Sequence, residues 1–82
     1  MKPIEKLIGL NIKLERTKRS LSQIEVANTL GVESSYLSRI ESGTKGVSLE
    51  KVYEIIHVLG CRACDIFPES NEVETQFNRT EQ

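Results

Sequence analysis

Between Gln23 and Lys45 the chain carries a cluster of polar side chains whose types suit one kind of chemistry. Glu33, Ser34, Ser35, Tyr36, Ser38 and Arg39 follow one another closely, and Lys45 comes shortly after. The planar guanidinium of Arg39 offers two parallel N–H donors, a fork that fits the two acceptors on the major-groove edge of guanine. The short hydroxyls of Ser34, Ser35 and Ser38 reach base edges or phosphates without crowding. Glu33 can accept from a cytosine amino group, but its simpler use is as a negative charge at a positive helix start. Tyr36 suits a thymine methyl, a sugar or a phosphate. Gln23 stands where a helix should begin, beside backbone N–H groups that favour a phosphate. Lys45 can reach a phosphate or a base. Any one of these is an ordinary solvated residue; their clustering implies a surface that reads the groove of a duplex.

Such a surface needs elements to hold it. Apolar residues recur at Ile24, Val26, Ala27 and Leu30, and again at Val32, Leu37 and Ile40. The i, i+3, i+4 spacing predicts two short helices, each with one buried stripe. Small Ala27 permits a close crossing, and Gly31 ends the first of the two in the left-handed backbone region. Two short helices joined through a glycine turn are the mark of a helix-turn-helix, and an ordinary helical hairpin is the rival reading. Ser22 with Glu25 reads as a capping box at the start of the first helix, which runs over 23–30. The second helix is expected from Ser34 to Ser42, with Gly43 as its stop.

Around this pair the pattern predicts three more helices. One runs from about Ile4 to Lys18, with Pro3 at its first position and Leu7, Ile8 and Ile12 on its apolar face, flanked by Leu10 and Leu14. Lys13, Arg16, Lys18 and Arg19 crowd its end, where cations suit the helix dipole and one or two can meet phosphates. Another follows Ser48, with Leu49, Val52, Ile55, Ile56 and Leu59 as core positions and Gly60 as its end. A last short helix, Ala63 to Phe67, stops at Pro68. The fold class is all-α: a compact bundle of about five helices. Residues 1–68 form the domain, and 69–82 form a polar tail, frayed or serving as a dimer arm, in which Val73 and Phe77 lie four apart.

Eighty-two residues with two Tyr, two Phe and no Trp imply one small domain with an aliphatic core. Net charge is −1, but residues 1–45 hold +3 and the remainder −4, as expected for one face that meets a polyanion and another that does not. No apolar run is long enough for a bilayer and no leader pattern follows Met1, so a cytoplasmic protein without membrane contact is expected.

The run LSQIEVANTLGV…YLSRIESGTKGVSLEKVYEI resembles the Cro/phage-repressor, or XRE-like, helix-turn-helix family over about Ile8 to Phe67. Its marks here are Ser22-Gln23, Ala27, Gly31-Val32, Ser38-Arg39-Ile40-Glu41 and Gly43. The resemblance implies a five-helix bundle that binds palindromic double-stranded DNA as a homodimer. It further implies phosphate contact at Gln23, base contact at Ser34, Ser35 and Arg39, and an Arg16–Glu41 ion pair between the first and third helices. Tyr36-Leu37-Ser38 and Lys45 are similar to restriction–modification controller proteins and some mobile-element repressors.

Departures from that pattern set further expectations. Ser20 stands where glycine is frequent, which implies backbone strain at its turn. Glu15 occupies a commonly apolar position, Val47 replaces a frequent proline, and Arg62 replaces a capping serine. The alternatives are a protein-binding module, antitoxin-like or adaptor, and a thiol- or metal-responsive regulator using Cys61 and Cys64, with His57 nearby. The C-x-x-C spacing lacks the four ligands of a zinc site, so Cys61 reads as a small core residue, Cys64 as a surface one and His57 as exposed. No triad, paired carboxylates or phosphate-binding glycine loop is present, so neither an enzyme nor a cofactor, metal or small-molecule substrate is expected.

Overall fold

The computed structural model describes residues 3–68, and among these it contains five α-helices and no strand. Helix α1 is Pro3–Lys18, α2 Gln23–Leu30, α3 Ser34–Ser42, α4 Leu49–Leu59 and α5 Ala63–Ile66. Each boundary has a local cause. Ser22 Oγ accepts the Glu25 N–H at 3.0 Å while the Glu25 carboxylate accepts the Ser22 N–H at 2.9 Å, the reciprocal box that starts α2. Gly31, at φ 77°, ends it, with Val32 N–H on the Ala27 carbonyl at 3.0 Å and Gly31 N–H on that of Asn28 at 3.2 Å. Ser48 Oγ caps α4 through the Lys51 N–H at 3.1 Å. Phe67 turns extended before Pro68, as the residue before a proline prefers, and α5 stops there.

The core is aliphatic, as the scarcity of aromatics predicts. Ile12, Leu37, Ile55 and Ile66 are fully enclosed, and Ile40, Val26, Ala27 and Val52 nearly so. Helix α1 lies against α3, α4 and α5, while α2 packs on α3 and α4. Asn11 Nδ2 donates to the Ile66 carbonyl at 2.8 Å, tying α5 to α1. The rings of Tyr53 and Phe67 meet at 5.7 Å, joining α4 to the end of α5.

Two core expectations are corrected. Leu49 and Ile24 belong to the apolar stripes of their helices, yet both are exposed, Leu49 by 63%. They sit in the first turns of α4 and α2, where the helices overhang the core. Arg62 supplies no acceptor to α5; instead Asp65 reaches back to the Arg62 N–H at 2.9 Å and to its guanidinium at 3.4 Å. Ser20 does adopt a left-handed backbone, φ 59°. Residues 69–82, including Val73 and Phe77, lie outside the described residues.

Candidate nucleic-acid interface

Helix α3 has two sides of different chemistry. Leu37, Ile40 and Glu41 point inward and are buried. Ser34, Ser35, Ser38 and Arg39 point outward and are exposed, and Tyr36 is half-buried at the edge. Among the described residues Arg39 makes no ion pair, so its guanidinium is available to a ligand. Glu33 precedes the helix in an extended conformation and makes no side-chain cap; only its charge and its carbonyl serve the helix start.

The end of α3 is wound tightly. The Arg39 carbonyl accepts from the Thr44 N–H at 3.1 Å, the Lys45 N–H at 3.3 Å and the Ser42 hydroxyl at 3.1 Å. That closure folds Lys45 back over α3. Its Nζ stands 5.4 Å from the centre of the Tyr36 ring, a cation–π contact that restrains both side chains. Tyr36, Arg39 and Lys45 thus belong to one rim although Lys45 lies beyond the helix.

One carboxylate anchors this helix from inside. Glu41 Oε2 accepts Arg16 Nε at 2.7 Å, and its Oε1 accepts Arg16 Nη2 at 3.0 Å and Gln23 Nε2 at 2.9 Å. Arg16 Nη1 donates in addition to the Leu21 carbonyl at 2.7 Å. This two-pronged pair is buried, and its hydrogen bonds are satisfied. Gln23, read from the sequence as a phosphate ligand, therefore also links α2 to α3. The network leaves its carboxamide one further N–H and an oxygen at the α2 start.

The other cations at the end of α1 are also engaged. Arg19 Nη1 reaches Glu15 Oε1 at 2.7 Å, and Lys18 Nζ reaches Glu15 Oε2 at 3.1 Å. These two contacts, Arg19 first, hold the Glu15 carboxyl below its usual range. They also explain how an acid occupies an otherwise apolar position: two flanking cations keep it ionised while its stem packs. Lys13, by contrast, is exposed.

Cys61 is half-buried, and burial pushes its thiol up, away from a reactive thiolate; Cys64 is exposed, as is His57. Among the described residues no group of three or more His, Cys, Asp or Glu side chains could hold a metal ion. None of the described helices is long and apolar enough to cross a membrane.

Gly9, which nothing in the hydrophobic pattern singles out, is a point of close approach between α1 and α3. A Cβ there would collide with the Ile40 carbonyl oxygen and lie 2.8 Å from that of Glu41. The only hint in the sequence is a glycine inside a helical run, which costs propensity and needs a packing reason.

Comparison with known proteins agrees with this geometry. A family described as helix-turn-helix matches residues 12–66. Antitoxin PezA of Streptococcus pneumoniae serotype 4 is 38% identical over 63 residues, 77% of this chain, and the chain spans 40% of that protein's length. An uncharacterised HTH-type transcriptional regulator of Sinorhizobium fredii, y4dJ, is 29% identical over 69 residues, 84% of this chain and 90% of its own. The crystal structure of the clp gene regulator ClgR from C. glutamicum superposes with a TM-score of 0.76 at 28% identity, over 79% of this chain and 83% of that one.

Proposed function

The chain belongs to the helix-turn-helix family, and from that premise we propose that it is a sequence-specific DNA-binding regulator of transcription. It works in the cytoplasm as a homodimer on a palindromic operator, with α3 in the major groove. Residues 1–68 are the DNA-binding unit in this reading, and 69–82 are an appended segment. The observation that carries it is the division of α3: three inward residues hold the helix, while Ser34, Ser35, Ser38 and Arg39, which has no ion pair among the described residues, face out. Arg39 reads a guanine, Ser34, Ser35 and Ser38 contact neighbouring bases or phosphates, and Tyr36 with Lys45 forms the rim against the backbone. Gln23 offers its remaining N–H to a phosphate at the start of α2.

Charge and surface support the dimer of this reading. With net charge −1, one copy has few cations for phosphates. Leu49 and Tyr53, one turn apart on α4, are 63% and 51% exposed and line an open apolar groove with Leu30 and Val58.

Selection of bound sequences from a random DNA pool tests the proposal. A palindrome with half-sites about 34 Å apart is expected. Arg39→Ala should lose about 1–3 kcal/mol of specific binding and relax the operator at one base position. An enriched site that the variant still binds with unchanged sequence preference would remove Arg39 from the interface.

The likeness to an antitoxin favours one other reading, a module whose main ligand is a protein. Salt separates the two: DNA affinity should fall steeply as salt rises, whereas a shape-driven protein contact should change little.

A further inference from the structure

The outer face of α1 carries apolar surface that neither the core nor the DNA reading uses. Leu10 and Leu14, one turn apart, are 48% and 51% exposed, and Leu7 beside them is half-buried. Lys6 and Lys13 flank this stripe; both are exposed, and neither meets a carboxylate among the described residues. Lys18 lies beyond its far end. The combination is a short leucine stripe beside positive charge.

The chain itself offers a matching segment. The Asn11–Ile66 hydrogen bond holds the end of α5 on α1, two residues before the described chain ends at Pro68. Fourteen residues follow Pro68, with Glu69, Glu72, Glu74 and Glu81 against Arg79, a balance of −3. Their two large apolar side chains, Val73 and Phe77, have the same four-residue spacing as Leu10 and Leu14. Val73 comes five positions after Pro68; extended, that stretch reaches roughly 17 Å, about the length of three helical turns. We propose that residues 69–82 dock in cis on the outer face of α1, with Val73 and Phe77 covering Leu10 and Leu14 and the glutamates facing Lys6 and Lys13. The apolar groove on α4 is the competing seat, since Phe67 touches Tyr53. Its rim carries Glu50 and Glu54, and Lys51 is already bonded to Glu54 at 3.0 Å, so it repels an acidic segment where α1 attracts one.

This inference does not depend on DNA binding. Isotope-filtered NMR on the full-length chain, as a mixture of labelled and unlabelled protein, tests it. The expected result is NOEs from the Phe77 ring to the Leu10 and Leu14 methyls within one labelled chain. The double variant Leu10→Lys, Leu14→Lys should abolish them and speed protease cleavage within 69–82 by about tenfold. Both positions are half in solvent, so the variant should keep its helical circular dichroism; if it does not, Lys6→Glu with Lys13→Glu serves instead and should weaken the same NOEs. Absence of these NOEs in the parent chain, NOEs to Leu49 and Tyr53 instead, or NOEs only between labelled and unlabelled chains would overturn the proposal.

Discussion

At the scale of single residues, Glu41 has the greatest leverage. Its two oxygens take three donors from two other helices, the two from Arg16 out of water and the one from half-buried Gln23 partly so. Taking a carboxylate and a guanidinium out of water is costly, and their attraction repays it only because every donor and acceptor is matched. Removing one partner therefore leaves an uncompensated buried charge. Glu41→Ala should destabilise the domain by about 3–5 kcal/mol, a large part of the roughly 5–15 kcal/mol that holds a small domain folded. Replacing both, Arg16→Met with Glu41→Leu, should cost much less than Glu41→Ala alone. Urea unfolding midpoints measure both, and a double variant as damaged as the single one would contradict this account. Ser20 is the opposite case, a residue under strain without burial: its φ of 59° is a conformation glycine adopts at no steric cost.

At the scale of elements, the crossing of α1 over α3 depends on Gly9. Gly9→Ala improves helix propensity, yet the added methyl meets two backbone carbonyls that cannot rotate away. A loss of about 1–3 kcal/mol, or more, is expected from such overpacking. Gly31→Ala has open space around its new methyl and pays only for its positive φ, about 1–2 kcal/mol. Thermal denaturation of the two variants should rank Gly9→Ala as the worse. The contrast shows what a linear pattern reveals. Gly31, the Ser22 box and the Ser48 cap act within a few residues of themselves, so helix boundaries were legible. Gly9 depends on a carbonyl thirty-one residues away, and no local signal encodes that. Ile24 and Leu49 misled for a related reason: periodicity identifies the apolar stripe but not the end that overhangs the core. The outward residues of α3 were legible by elimination once Leu37 and Ile40 were placed inside. The seating of Gln23 against Glu41 and of Lys45 against Tyr36 was not, because both contacts are made by long side chains across a fold.

At the scale of the whole molecule, stability and the proposed association rest on different residues. Leu49 and Tyr53 contribute little to the core of one copy because both are more than half exposed. Tyr53→Glu should therefore leave the unfolding midpoint nearly unchanged, within the about 0.5 kcal/mol usual for surface substitutions. If α4 is the dimer face, the same variant should run as a monomer in sedimentation and lose operator affinity, because one copy forfeits the effective concentration of the second half-site. A stable Tyr53→Glu dimer would move the interface elsewhere.

The division of labour on α3 has a consequence for how such a chain can change over time. Holding the helix is left to Leu37, Ile40 and Glu41, which are buried, while Ser34, Ser35, Ser38 and Arg39 are exposed and outside the core cluster. Mutation can therefore run through the outward positions without threatening folding, and each new combination arrives on an intact scaffold. On the proposed reading, a descendant gene can acquire a new operator by a few substitutions while its stability stays where it was. If these positions read DNA as proposed, the same separation makes their four codons the natural place to randomise in building regulators with chosen targets.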